Sequence, residues 1–268
     1  MKLGLMGGGA MGEAIISAVT RAKVADAADV CVYEIVAPRL DYLTKTYGVR
    51  PASTPADACG GADAVVLALK PQEFDKAAPT FGPSLGDATV ISIMAGVTLT
   101  KMSAALGTQN VVRSMPNTPA QIGEGMTGWT ALPAVSEAGR AAARAVFGSM
   151  GKEAYVPEEK YLDMVTAVSG SGPAYVFLFI EALVDAGVHV GLPRDLATTM
   201  ALQTVLGSAR YMEHAGRHPA ELKNQVTSPA GTTADALREL EGHGLRAAVL
   251  EAVIAAYERS KALGEASK

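Results

Sequence analysis

The sequence predicts an α/β protein: a doubly wound parallel sheet over residues 1–157, followed by an all-helical domain over residues 158–268. Three observations predict it. Continuous Val/Ile/Leu runs alternate with helix-length segments through the first half, as in strands buried on both faces of a parallel sheet. Strand signals stop after Pro157. A glycine-rich turn joins the first apolar run to the first helix.

The elements follow in order. "KLGLMG" is a short buried strand ending in glycines, and "MGEAIISAVTRAKV" is the helix after it. "DVCVYE" is a second strand, "APRLDYLTKTYG" a helix and "ADAVVLALKP" a third strand. The alternation continues through "EFDKAAPTFGPSL", "ATVISIMAG", "TLTKMSAALG" and "QNVVRSMP". "EAGRAAARAVFGSMG" is a further helix, and "KEAYVP" is placed to close the sheet. The second half reads as helices over "EEKYLDMVTAVSG", "PAYVFLFIEALVDAGVHVG", "PRDLATTMALQTVLGSARYMEHAG", "HPAELKNQVTS", "TTADALRELEGHG" and "LRAAVLEAVIAAYERSKALGEASK". "SGSGP" (Ser169 to Pro173) breaks two of them. From Tyr175 to Val190 the apolar surface is interrupted by Glu181 and Asp185, at i and i+4 on one face. A helix apolar nearly all round needs burial nearly all round. It is either the centre of a monomeric bundle or packed into a partner subunit.

Composition narrows the function. The chain is 49% hydrophobic and 19% charged, which is globular rather than disordered. Residues 1–157 carry 13 basic and 13 acidic side chains and 158–268 carry 10 and 14, so no basic stripe invites nucleic acid. No segment is expected to span a membrane, because "SGSGP" interrupts the longest uncharged apolar run. The N-terminus enters a strand pattern directly, without the features of a secretory leader. Cys31 and Cys59 sit near no histidine and not near each other in sequence, which suits two small buried thiols in a reducing cytoplasm. Of the four histidines, only His214 and His218 approach a metal spacing, and Gly216 and Pro219 argue against one helix through both. No metal is expected.

"GLMGGGAMGEA" places Gly7, Gly9 and Gly12 in the spacing G-x-G-x-x-G after a strand and at the start of a helix. Gly7 permits the tight turn, Gly9 lets backbone approach a pyrophosphate, and Gly12 lets the helix pack close. The helix start around Ala10 and Met11 then offers N–H groups and a positive dipole end to phosphate. This is the fingerprint of a dinucleotide site. Glu34 ends the second strand, 22 residues after Gly12. A carboxylate there accepts from ribose hydroxyls and repels a 2′-phosphate, which favours NADH over NADPH. The alternative is a solvated strand end, with Arg39 nearby to neutralise a phosphate.

"VTSPAGTTADAL" (residues 226–237) is rich in hydroxyls yet holds no base, nucleophile or metal ligand. As local structure it reads as a cap, Thr232 with Asp235 three residues on resembling a capping box. As a site, its backbone N–H groups at a helix start would grip an anion.

Taken together, "GGGAMG", "LALKPQ", "SIMAGVTL", "RSMPNTPAQIGEGMT", "VSGSGPAYVFLFIEALVDAGVHVGLPR", "ALQTVLGSARYM" and "VTSPAGTTADAL" resemble the pyrroline-5-carboxylate reductases over nearly the whole chain. The resemblance implies an N-terminal Rossmann domain and a C-terminal all-α dimerisation domain that interlocks with its mate in a homodimer, such dimers commonly assembling into decamers. It implies NAD(P)H as cofactor and a cyclic imine carboxylate as substrate. It places Ala68, Leu69, Lys70, Pro71, Ala95 and Asn117 beside the cofactor. On the substrate side it places Ser171, Pro173, Ser228, Ala230, Gly231 and Thr232, with the Thr233 hydroxyl on the ring nitrogen as the catalytic group. The chain departs from many relatives in carrying Ala rather than Gly at 230 and an acid at 34. A β-hydroxyacid dehydrogenase would need a base, commonly a lysine on the central helix, and "VSGSGPAYVFLFIEALVDAG" has none. The remaining alternatives are a reductase of another cyclic imine and a cofactor-binding regulator without turnover.

Overall fold

The computed structural model describes residues 1–265. The strands are β1 (Leu3–Met6), β2 (Val30–Tyr33), β3 (Arg50–Pro51), β4 (Ala64–Leu67), β5 (Thr89–Ser92), β6 (Val111–Met115), β7 (Gly125–Ala131) and β8 (Gly151–Tyr155). The helices that connect them are α1 (Ala10–Arg21), α2 (Ala37–Tyr47), α3 (Pro55–Cys59), α4 (Phe74–Phe81), α5 (Leu99–Leu106) and α6 (Glu137–Ser149). After β8 come α7 (Tyr161–Val165), α8 (Gly172–His189), α9 (Arg194–Ala215), α10 (Pro219–Gln225), α11 (Thr232–Gly242) and α12 (Leu245–Glu265).

The eight strands form one sheet in the order β3-β2-β1-β4-β5-β6-β7-β8. All pairs are parallel except β6 with β7. The order reverses between β1 and β4, so connections leave in opposite directions there and a crevice opens beyond the strand ends. Every residue of β1, β4 and β5 is buried. Period two then divides them between two cores. Leu3, Leu5, Val30, Val32, Val66 and Ile91 join α1 and α6 on one face. Met6, Cys31, Val65, Leu67 and Val90 join Phe74, Phe81 and Met102 on the other. Cys31 and Cys59 are free and buried in that second core, and burial pushes the Cys59 thiol up to about 12.

The chain forms two compact units, one comprising residues 1–171 and 256–265, the other Gly172–Ala255. The break falls at 171/172 rather than at 157/158 because α7 packs on β6 and β7, within the sheet unit. Three further differences from expectation have local causes. β7 is absent from the strand–helix alternation; its antiparallel pairing with β6 needs only the short 3-10 turn Thr118–Ile122, not a crossover helix. "SGSGP" does not break two helices: Thr166–Gly170 forms a π turn closed by the Ser171 N–H donating to the Thr166 carbonyl at 2.8 Å. Tyr161–His189 is therefore one helical stretch of 29 residues, long and apolar enough by length and composition to cross a membrane, and the expectation that no segment reaches that length is corrected.

Within the second unit α8 packs along α9, and its only buried hydrophobic cluster is Val184, Ala197 and Ala201. Phe177, Leu178, Leu202, Val249 and Leu250 are exposed. Between α10, α11 and α12 lies an apolar groove of about 590 Å³ lined by Leu237, Leu240, Leu245, Val249, Leu250 and Val253 among others.

Candidate active site

Register decides which residues share an edge of the sheet. Met6 lies beside Tyr33 and Leu67, Leu67 beside Ser92, and Ser92 beside Arg113. The loops after β1, β2, β4, β5 and β6 therefore leave the same edge, the carboxyl end of the parallel strands. Gly7–Gly12, Glu34, Ala68–Pro71, Ala95 and Asn117 all stand there.

The glycine loop is held from three sides. Gly7 has φ +101°, and a Cβ on it would lie 2.6 Å from the Ala68 carbonyl oxygen; a Cβ on Gly12 would lie 2.2 Å from the Gly7 carbonyl. Neither position admits a side chain. A Cβ on Gly9 would meet nothing within 4 Å, so the turn opens a concavity at the start of α1, which has no side-chain cap. That is the shape a pyrophosphate requires, and a dinucleotide fits these residues. Glu34 braces the loop: its Oε2 accepts from the Gly8 N–H at 2.7 Å and its Oε1 from the Val36 N–H at 2.9 Å. Each oxygen keeps a second lone pair, so ribose hydroxyls remain within its capacity.

Ala68 and Leu69 are half-buried at the end of β4, Lys70 is exposed, and Pro71 opens a short 3-10 turn. Ala95 is exposed after β5. Asn117 is different. Its Nδ2 donates to the Ser169 carbonyl and hydroxyl oxygens, both at 3.2 Å, and its Oδ1 accepts from the Met126 N–H at 2.9 Å. The side chain ties the loop after β6 to β7 and to the π turn. The amide thereby braces the loop on the edge where the cofactor contact is expected.

On the substrate side Ser171 and Pro173 flank the start of α8, both partly buried. In the hydroxyl-rich loop the N-cap of α11 is Gly231, with no side-chain cap, and Thr232 is the first helical residue. The capping box read from the sequence does not form. The Gly231 N–H donates to the Ser228 carbonyl at 3.1 Å, which closes the turn before the helix. The N–H groups of Thr232 and Thr233 are left as first-turn donors, which no intrahelical carbonyl can satisfy. Thr233 is partly buried; Ser228, Ala230 and Thr232 are exposed. Ala230 has φ +56°, the left-handed turn that aims successive N–H groups to one side.

The chain matches the family model for pyrroline-5-carboxylate reductase dimerisation over residues 159–263, and the NADP oxidoreductase coenzyme F420-dependent model over residues 2–96. It is 44% identical over 265 residues to the pyrroline-5-carboxylate reductase of Synechocystis sp., covering 99% of each chain. The Chain belongs to the pyrroline-5-carboxylate reductase family. Its relative from Escherichia coli is 39% identical over 98% of each chain. Among solved structures, a pyrroline-5-carboxylate reductase from Coxiella burnetii superposes with a TM-score of 0.91 at 34% identity, covering 98% of each chain. The Plasmodium falciparum enzyme with NADP bound gives 0.89 at 34%, again covering 98% of each chain.

Two clusters in this family member centre on acids that the sequence reading does not single out, Glu159 and Glu13. Glu159 Oε1 accepts from the Leu99 N–H at 2.7 Å, at the start of α5, and from Arg113 at 2.6 Å. It fixes the loop after β5 against β6. The second cluster joins Glu13, Arg39, Tyr42 and Tyr47 behind the glycine loop. Glu13 directly follows the last fingerprint glycine, and that adjacency is the one sequence signal pointing to it.

Proposed function

We propose that the protein reduces 1-pyrroline-5-carboxylate to L-proline with NAD(P)H, the last step of proline biosynthesis. One observation carries this beyond family membership: the α11 start offers uncapped N–H groups and a threonine hydroxyl in a loop without a base. An imine carboxylate needs no more. Its ring nitrogen can take a proton from solution, which makes the adjacent carbon electrophilic, so the protein has to orient rather than activate it. Bound NAD(P)H would supply the hydride. Thr232 and Thr233 N–H groups hold the carboxylate, with Ser228, Ala230 and Gly231 shaping the turn and Ser171 and Pro173 on the ring side. The Thr233 hydroxyl hydrogen-bonds the ring nitrogen, which accepts the electron pair of the C=N bond and becomes an amine. Gly7, Gly9, Ala10, Met11 and Gly12 hold the pyrophosphate, Glu34 the adenosine ribose, and Ala68 to Pro71 with Ala95 and Asn117 the nicotinamide side.

The functional division we infer runs at 157/158, a dinucleotide-binding part before and a substrate-binding and dimerisation part after. The protein is an oligomer of this chain acting on a small molecule. Its unit is a homodimer in which a second copy covers the apolar faces of α8 and α12, and five such dimers make the decamer the resemblance implies. On this reading the long apolar stretch of α7 and α8 is an interface rather than a bilayer span, and neither membrane nor nucleic acid is a partner. Free buried thiols at Cys31 and Cys59 suit the cytoplasm. Initial rates on pyrroline-5-carboxylate with NADH and with NADPH test the reaction. Turnover with either supports it, NADH being preferred, and absence of turnover with both overturns it.

A further inference from the structure

Arg39 is the only arginine on α2, and it stands beside the strand end where a dinucleotide site chooses its cofactor. An acid there accepts from the ribose 2′-hydroxyl, whereas a nearby arginine accommodates a 2′-phosphate. Both residue types are present here. Their hydrogen bonds differ from what proximity alone suggests. Arg39 Nε donates to the Gly8 carbonyl at 2.6 Å and Nη2 to the Gly9 carbonyl at 3.4 Å, and Nη2 also pairs with Glu13 Oε2. The Nε–Nη2 edge, which would present paired donors to a phosphate, is taken up by the protein.

Glu13 is itself held in place. Its Oε1 accepts from the Tyr42 hydroxyl at 3.0 Å and the Tyr47 hydroxyl at 2.8 Å, leaving Oε2 for the guanidinium. Burial pushes the Glu13 carboxyl up, but hydrogen bonds from Arg39, Tyr47 and Tyr42 outweigh it and hold the group below the usual carboxylate range. Burial and the Glu13 carboxylate push Tyr47 up to about 12, so it remains a donor. The Arg39 guanidinium also lies over the Tyr42 ring, 5.2 Å from its centroid. A 2′-phosphate beside Glu34 would meet two carboxylates and an arginine whose charge is already matched.

We propose that Glu13 is a positioning residue for cofactor choice: by holding Arg39 against the glycine loop it withholds the guanidinium from a 2′-phosphate and sets the preference for NADH. The inference rests on the dinucleotide site proposed above and is independent of the imine substrate. The test is a titration of the purified protein with NADH and with NADPH, without imine, followed by nicotinamide fluorescence. Glu13→Gln keeps the shape and removes the charge. It is expected to shift the ratio of the two dissociation constants toward NADPH by about tenfold, the worth of one charge-assisted hydrogen bond. Adding Arg39→Ala should return the ratio to its starting value. Arg39→Ala alone, which tests the idea even if Glu13→Gln folds poorly, should leave the ratio unchanged. An unshifted ratio in Glu13→Gln overturns the proposal, as does selective loss of NADPH affinity in Arg39→Ala. If the unaltered protein binds neither cofactor, the dinucleotide site falls and this inference with it.

Discussion

Leu5 in β1 and Phe177 in α8 are both large apolar side chains, yet Leu5 is 0% exposed and Phe177 is 62% exposed. The contrast extends through their units. The sheet unit buries two apolar layers, one on each face, so each central strand is covered twice. The helical unit buries Val184, Ala197 and Ala201 and leaves Leu178, Leu202, Val249 and Leu250 in the open. A helix pair with so little interior does not stabilise itself, since each exposed leucine or phenylalanine forgoes roughly 1.5–3 kcal/mol of burial. The sheet unit draws its stability from its own chain, and the helical unit needs another surface. That is the physical content of a dimerisation domain.

The sharpest way to break this contrast is Phe177→Glu. A second copy packing on α8 would have to bury that carboxylate unpaired, at a cost of several kcal/mol. The variant should sediment as a monomer and lose nearly all reductase activity. Trp129 is the only tryptophan and is fully buried in the sheet unit, against Phe147 and Tyr155, so its emission reports that unit alone. It should not move. Unchanged mass would show that α8 faces solvent; a shifted Trp129 emission would show that the units do not stand independently.

Thr233→Ala sharpens the contrast at the level of chemistry. The hydroxyl caps nothing, because Gly231 holds the N-cap position without a side-chain bond. Its loss should therefore leave the melting temperature in place. Turnover should fall by about 10- to 100-fold, the worth of one hydrogen bond to a group that changes charge. A fall in stability with turnover intact would return the residue to a structural role.

A pH titration reads the charged cluster of the sheet unit. Glu13 in the sheet unit has a folded pKa below its ordinary 4.5, so it contributes stability that is present above that value. This contribution is lost as pH falls through the folded pKa, because the unfolded chain binds the proton more readily. Glu13→Gln should melt below the unaltered protein at neutral pH, and the gap should close as the pH falls below 4.5. A gap independent of pH would assign the loss to shape rather than charge.

What was legible in the sequence follows the same division. Strands β1, β4 and β5 are continuous apolar runs and the glycine fingerprint is local, so both could be read without coordinates. β7 could not: Gly125 and Gly128 dilute its pattern, and glycine in a strand weakens the signal. The π turn at Thr166–Gly170 was hidden because glycine and serine signal a helix end and a helix distortion alike. Asn117 and Arg39 were named near the cofactor, but two of the partners that engage them, Ser169 and Glu13, come from distant parts of the chain, and the third, Met126, lies on a strand whose pattern was not legible. Residue type was visible; direction was a tertiary property.

Ala230 gives the smallest effect and the finest comparison, since one residue carries both strain and shape. At φ +56° its methyl group crowds the following carbonyl, a conformation that costs a non-glycine residue about 1–2 kcal/mol. Glycine removes that cost but gains roughly 0.5–1 kcal/mol of unfolded-chain entropy to lose. Ala230→Gly should therefore stabilise the protein by only about 0.5–1 kcal/mol in a denaturant titration. Substrate KM reads the shape separately. If the left-handed turn is what aims the Thr232 and Thr233 N–H groups, relaxing it leaves their direction intact and KM unchanged. A raised KM beside improved stability would mean that the methyl group itself narrows the turn onto the carboxylate, and that the strain at this position is kept for binding.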